Sequence, residues 1–151
     1  MIALLLVVGL VVADQLTKVW AVRYLQPVHS IVLTDFFRLT YVENRGAAFG
    51  IFYGAIWFLV VITVLILGAI TMYYRKLPQG KPYLFVRLAL LLIAGGAIGN
   101  FIDRVRIGFV VDMFHVTFIN FPVFNVADVF IVVGSILFAV LTLVIKEGHD
   151  A

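Results

Sequence analysis

The stretch AIWFLVVITVLILGAITMYY, residues 55–74, contains no charged side chain. A transmembrane α-helix needs about 20 mainly apolar residues to cross the hydrocarbon core of a bilayer. A helix that is apolar on every side has no face to offer to water and must be buried in protein or lipid. The stretch therefore predicts a membrane-spanning helix.

Three further segments have a similar length and a similar apolar composition. They are residues 1–25, 83–102 and 126–145. The first has no basic leading segment and no clear cleavage site for a signal peptidase, so we expect a retained helix. We predict a mainly α membrane protein with four transmembrane helices in a single domain, residues 1–151.

The composition agrees with lipid as the main solvent. Of 151 residues, 64% are hydrophobic and 13% are charged, against roughly half and a quarter in soluble domains. The net charge of +3 comes from 11 Lys and Arg residues scattered between apolar blocks, so no nucleic acid is expected as a partner. No cysteine is present, which excludes disulfides, thiolate nucleophiles and Cys-ligated metals.

The loop between the second and third helices sets the predicted orientation. Residues 75–87 contain four Lys and Arg residues and no acidic residue, and short basic loops remain in the cytoplasm. Both termini are then cytoplasmic. The two outer loops contain residues 29–41 and 106–124, which are rich in β-branched and aromatic side chains and favour short strands on the outer membrane surface.

Ionisable and amide side chains at membrane depth are costly, so each is a functional hypothesis. Asp14 and Lys18 lie four residues apart on one helix face and can form an ion pair. Such a pair has two interpretations, a structural ion pair or a binding site for a substrate or lipid headgroup. Asn44 and Gly46 belong to a turn signal in ENRGAAFG, from which no ligand can be named.

The third helix combines small residues with polar ones at its end. Gly95 and Gly99 have the GxxxG spacing, which favours close packing of helices in lipid. Asn100, Asp103 and Arg104 follow, and the last two could form an ion pair at the membrane surface.

Asp112 is the strongest anomaly, because it lies in the apolar, strand-like run IGFVVDMF, where an unpaired carboxylate is expensive. Asp128 begins the fourth helix three residues after Asn125. Asn125 can cap that helix while Asp128 occupies the acidic third position, so Asp128 has a structural interpretation as well as a functional one.

Taken together, the two aspartates indicate a chemistry. Both fall at the outer surface in the predicted topology, and the 15 residues between them can fold back. Two carboxyls in contact cannot both ionise, so one keeps its proton while the other acts as a base. A pair of this kind can activate water against a peptide bond without a metal or cofactor.

Other chemistries have weaker support. The two serines, Ser30 and Ser135, have no nucleophile elbow around them, and the three histidines are far apart without a zinc motif. The alternative function is a small proton-coupled transporter, since intramembrane carboxylates also mark ion paths. A transporter should carry its acids near the middle of the bilayer, whereas Asp112 and Asp128 map to one surface.

Five blocks in order make the chain resemble the bacterial lipoprotein signal peptidases, the signal peptidase II family. The blocks are DQLTK (14–18), NRGAAFG (44–50), GGAIGNFIDR (95–104), VVDMF (110–114) and FNVADVF (124–130). The resemblance implies four transmembrane helices with a small β cradle and a short surface helix on the outer side. It also implies an aspartic peptidase of the bacterial cytoplasmic membrane, with its active site near the extracytoplasmic face.

The substrate implied by the resemblance is a prolipoprotein whose lipobox cysteine carries a diacylglyceryl group, cleaved just before that cysteine. The implied catalytic residues are Asp112 and Asp128. The positions that match supporting or substrate-binding residues are Asp14, Lys18, Asn44, Gly46, Gly96, Asn100, Asp103, Arg104 and Asn125. Membrane lipids are the other expected partners. We expect a monomer, because one chain supplies both aspartates.

Overall fold

Four long helices and a small sheet make up the described part of the chain. A computed structural model describes residues 1–47 and 51–150, with all their side chains except those of residues 82 and 146–150. The helices are α1 (Ile2–Trp20), α2 (Ile56–Lys76), α3 (Lys81–Ile107) and α4 (Val126–Asp150), and the strands are β1 (Ser30–Thr34), β2 (Phe37–Asn44) and β3 (Val110–Val116).

All four predicted spans are present as helices long and apolar enough to cross a membrane. The first is longer than predicted, because α1 continues through a π-helical turn (Ala21–Leu25) and a 3₁₀ turn (Gln26–Val28). The third extends to Ile107 rather than residue 102. The charged residues that marked its predicted end are accommodated inside the helix, which stops at Gly108 in the left-handed conformation.

Helix α3 is the centre of the bundle and packs against each of the other three helices. Small residues allow the close approach that the GxxxG spacing predicted. A Cβ added at Gly95 would lie 2.8 Å from the side chain of Leu10, and one at Gly96 would collide with the backbone oxygen of Ala127. Helices α1 and α4 therefore both pack closely against α3 at adjacent glycines.

The predicted outer strands form one antiparallel sheet in the order β1-β2-β3. It lies at the end of the bundle where α3 stops and α4 starts. Buried Val111 and Met113 of β3 pack against Ala21 and Leu25 at the end of α1, which ties the sheet to the helices.

The short surface helix stays a prediction. Residues 51–54, which follow β2, form turns. Residues 48–50 of the NRGAAFG block lie outside the described residues.

Candidate active site

Strand β3 places Asp112 among apolar neighbours, and the residue is 1% exposed. Two amide side chains hydrogen-bond to it. Asn44 Nδ2 donates to Oδ2 over 2.9 Å, and Asn125 Nδ2 donates to Oδ1 over 2.6 Å. In the sheet register Asn44 lies opposite Val110, so Asn44 and Asp112 are diagonal neighbours on two adjacent strands.

Asp128 lies in the first turn of α4 and takes part in the predicted cap. The Asp128 backbone N–H donates to Asn125 Oδ1 over 3.0 Å, and the Asn125 backbone N–H donates to Asp128 Oδ2 over 3.1 Å. This reciprocal pattern is a capping box. The other oxygen, Oδ1, accepts a bond of 2.8 Å from Asn100 Nδ2, so the carboxylate is part of a wider network and not a cap alone.

A backbone bridge brings the two aspartates to the same place. Phe114 and Phe124 exchange backbone hydrogen bonds of 2.8 and 3.0 Å, which returns the chain after β3 alongside that strand. Asn125 follows the bridge and is fully buried. Its side chain donates to Asp112 while its backbone donates to Asp128, so one residue connects the two carboxyls.

The environment favours a proton on Asp112. Burial and the negative charge of Asp128 raise the pKa of Asp112 from 3.8 to about 7, although the amide donors of Asn44 and Asn125 oppose the rise. A carboxyl whose pKa is raised toward neutrality can exchange a proton near neutral pH, which is a property of acid–base residues.

Beneath the aspartates, Lys18 holds a buried network together. Its Nζ lies 2.9 Å from Asp14 Oδ2 and 2.9 Å from Asp103 Oδ2, and it donates to Asn100 Oδ1 over 2.8 Å. The predicted Asp14–Lys18 ion pair is thus confirmed, and a second acid shares the lysine. Asp103 pairs with Lys18 rather than with its sequence neighbour Arg104.

The carboxylates of this network also fix the backbone around the site. Asp14 Oδ1 accepts the Ala127 backbone N–H over 3.0 Å at the start of α4, and Asp103 Oδ2 accepts the Val111 backbone N–H over 3.3 Å next to Asp112. The ion pairs thereby position the two segments that carry the aspartates.

One member of the network was not singled out from the sequence. Gln15 Nε2 donates to Asp14 Oδ2, to the Gly99 backbone oxygen and to Asp103 Oδ1 at 3.0–3.2 Å. Gln15 lies inside the DQLTK block, but a glutamine beside an ion pair gives no signal of its own. The approach of α3 provides two of its three partners, Gly99 and Asp103.

An open cleft of about 250 Å³ lies over Asp128. Asn44, Asn100 and Arg104 contribute its polar walls, and Phe121 to Phe124 contribute an apolar one. Arg104 donates to the Gly46 backbone oxygen over 3.2 Å, and its buried Nε has no hydrogen-bond partner among the described residues.

The structure brings all eleven sequence-predicted site residues to this end of the bundle. Gly96 has no side chain, and this allows the backbone of α4 to approach α3 closely at Ala127. Gly46 completes a turn in which its N–H donates to Asn44 Oδ1 over 3.0 Å.

Within the described residues, no three His, Cys, Asp or Glu side chains are grouped so that they could hold a metal ion. Fold and site define a multi-pass membrane protein in which a buried Asp112 and a half-buried Asp128 are connected at one end of the helices.

Comparison with known proteins narrows this class. Residues 6–144 match the model of the family described as signal peptidase (SPase) II. The chain is 49% identical to a lipoprotein signal peptidase of Caldanaerobacter subterraneus subsp. tengcongensis over 97% of this chain and 98% of that one. It is 43% identical to the lipoprotein signal peptidase of Clostridioides difficile over 95% of both chains. The chain belongs to the signal peptidase II family and is a peptidase.

Solved structures agree with this assignment. One bacterial membrane enzyme is 34% identical and superposes with a TM-score of 0.83 over 98% of this chain and 90% of that one. A second is 36% identical and superposes with a TM-score of 0.81 over 93% and 92%. The four-helix fold with its small sheet is therefore shared with membrane enzymes.

Proposed function

We propose that this protein removes signal peptides from diacylglyceryl-modified prolipoproteins by cleaving just before the lipidated cysteine, with Asp112 and Asp128 as an aspartic dyad. The observation that carries the proposal is the connection of both carboxyls through Asn125 beside an open cleft. Family membership supports the class of substrate. The raised pKa of Asp112, caused by burial and by the charge of Asp128, supports the class of chemistry.

The two aspartates have different environments and so different roles. Asp128 lines the cleft and takes a proton from water as the water oxygen bonds to the scissile carbonyl carbon. Asp112, buried and protonated, donates a hydrogen bond that stabilises the developing oxyanion. The carbon–nitrogen bond then breaks, and the amine leaves with a proton supplied by the dyad.

The surrounding residues position this pair. Asn44, Asn100 and Asn125 hold the carboxyl oxygens in place. Lys18, Asp14 and Asp103 hold the backbone that carries them. The diacylglyceryl chains would lie in lipid against the helices, so that binding energy from contacts remote from the peptide bond orients that bond.

The proposal places the chain in the bacterial cytoplasmic membrane with both termini in the cytoplasm and the dyad near the extracytoplasmic face. It acts as a monomer, because both aspartates come from one chain. The absence of cysteine makes the orientation easy to test. A cysteine introduced at Ser30 should react with an impermeant maleimide in intact spheroplasts, and one at Gln79 should react only after lysis; the reverse pattern would overturn the orientation.

Cleavage of a diacylglyceryl-modified prolipoprotein by purified protein in detergent tests the dyad. Asp112→Asn and Asp128→Asn should each abolish detectable cleavage, whereas Asp35→Asn, which changes an exposed carboxylate in the turn between β1 and β2, should retain it. Thermal unfolding of each variant checks that folding is intact. Near-parent activity in either folded active-site variant would refute the dyad, and equal cleavage of the unlipidated substrate would refute the lipid requirement.

A further inference from the structure

A second cavity, of about 380 Å³, lies between the ends of α1 and α3 and the sheet. It shares no lining residue with the cleft over Asp128. Val110 lines the cleft and Val111 lines the second cavity, and consecutive residues of a strand point to opposite faces. The two cavities therefore lie on opposite faces of β3.

The charges around this cavity are unbalanced. Lys18 and Asp103 line it but are paired with each other. Arg23 and Arg106 also line it, are exposed to solvent and form no ion pair with any described residue. Two arginines from two different spans thus line one cavity, and no carboxylate of the described residues pairs with either.

The position of these arginines along the helices matches the level of lipid headgroups. Trp20 and Tyr24 contact each other with ring centroids 6.4 Å apart on α1, and the Arg23 guanidinium lies 5.4 Å from the centre of the Tyr24 ring. Trp and Tyr are enriched where a helix leaves the hydrocarbon core. Arg106 is next to Ile107, the last residue of the third span.

The walls between these charges are mainly apolar. Val19 and Val22 of the first span and Ile107 of the third contribute side chains that suit a glycerol backbone and the beginning of acyl chains. A free inorganic anion would gain nothing from these walls. Guanidinium groups bind phosphate through paired hydrogen bonds in a fixed planar geometry.

We propose that this cavity binds the headgroup of an anionic phospholipid, whose phosphate contacts Arg23 and Arg106 and whose glycerol lies against the apolar walls. The site is separate from the proposed catalytic cleft, and its occupation does not depend on peptidase activity. The occupant is a lipid of the surrounding leaflet rather than a soluble phosphate, because the cavity opens at the level where both spans leave the membrane.

The chain offers a direct probe of this site. It contains two tryptophans, Trp20 and Trp57, so Trp57→Phe leaves Trp20, three residues from Arg23, as the only one. This variant is reconstituted into vesicles of phosphatidylcholine with increasing fractions of phosphatidylglycerol. In one series of vesicles the phosphatidylcholine is brominated, and in the other the phosphatidylglycerol is. Bromine quenches tryptophan fluorescence at short range, so the two series give the relative affinity of the site for the anionic lipid.

A preference for phosphatidylglycerol is expected, and it should fall about fivefold for each arginine removed, the factor for one basic side chain near an anionic surface. Arg23→Gln/Arg106→Gln should therefore lose it, and Arg23→Lys/Arg106→Lys should keep part of it because the charge remains. Arg38→Gln/Arg75→Gln has the same change in net charge away from the cavity and should retain the full preference.

Three results would overturn the proposal. They are an absence of preference in the parent, an equal loss in the Arg38/Arg75 control, and displacement of the brominated lipid by millimolar glycerol phosphate. The last result would show a site for soluble phosphate. Native mass spectrometry of the protein with both tryptophans independently counts the phosphatidylglycerol molecules that remain bound. This number should fall in the Arg23→Gln/Arg106→Gln variant and not in the Arg38→Gln/Arg75→Gln control.

Discussion

Replacing Asn44 by alanine should move the pH dependence of cleavage upward. Asn44 Nδ2 donates to Asp112 Oδ2 over 2.9 Å, and this bond stabilises the ionised carboxylate. Burial and Asp128 raise the pKa of Asp112 to about 7. In the proposed mechanism one carboxyl must keep its proton, so cleavage falls as the pH rises through this value and both carboxyls become ionised.

The size of the shift follows from the bond that is lost. A hydrogen bond to a charged group contributes about 1.5–3 kcal/mol, and one pKa unit corresponds to about 1.36 kcal/mol. Asp112 is 1% exposed, so solvent does little to screen the loss. Without the donor the ionised form is less stable, the pKa of Asp112 rises, and the midpoint of the alkaline limb should move up by about one to two pH units.

The assay is kcat/KM for a lipidated prolipoprotein across the pH range, with unfolding checked at each pH. Thr40→Ala is the matched control, because Thr40 lies on the same strand and hydrogen-bonds to Ser30 and His115 rather than to Asp112. Its midpoint should equal that of the parent. A midpoint in the Asn44 variant that stays at the parent value or moves to lower pH would refute the assignment of the alkaline limb to Asp112.

Two further predictions concern stability and packing. Lys18→Met leaves two buried carboxylates without their cation and should lower the free energy of unfolding by about 3–5 kcal/mol, measured by thermal unfolding in detergent. Lys76→Met, at an exposed helix end, is the control and should change the free energy of unfolding little. Equal effects of the two substitutions would contradict the role of the buried network. Gly96→Ala forces a methyl group onto the Ala127 carbonyl and should cost about 1–3 kcal/mol, whereas Gly9→Ala, whose added Cβ meets nothing within 4 Å, should be tolerated in the same assay.

Some of the predicted site was already visible in the sequence for local reasons. Asp14 and Lys18 are four residues apart, and a helix places such residues on one face, so their ion pair needed no tertiary information. The Asn125–Asp128 cap likewise depends on three-residue spacing alone. Asp112 was conspicuous because its neighbours are apolar, and the family blocks assigned the remaining positions.

Other features could not be read from the sequence, because they depend on which helices touch. From the sequence, Asp103 could pair with its neighbour Arg104, but α1 packs against α3 and brings Lys18 within 2.9 Å of Asp103. Gln15 had no sequence signal, since its bonds to Gly99 and Asp103 cross 84 and 88 residues. The same contacts bury Asp103, one of the two charged residues expected at the end of the third span.

The amino-acid sequence was enough to predict the four helices, with each end within about five residues of the observed one, and the strands between them. These features can be predicted because the bilayer thickness fixes the length of an apolar segment and the backbone periodicity fixes its pattern, and both are properties of residues close together in the chain. Three features depend on tertiary packing: the connection of Asp112 to Asp128 through Asn125, the sharing of Lys18 between two acids, and the positions of the two cavities. Those contacts are short and directional, and their geometry is set when glycine-lined helices pack closely enough to bring distant side chains within hydrogen-bond range.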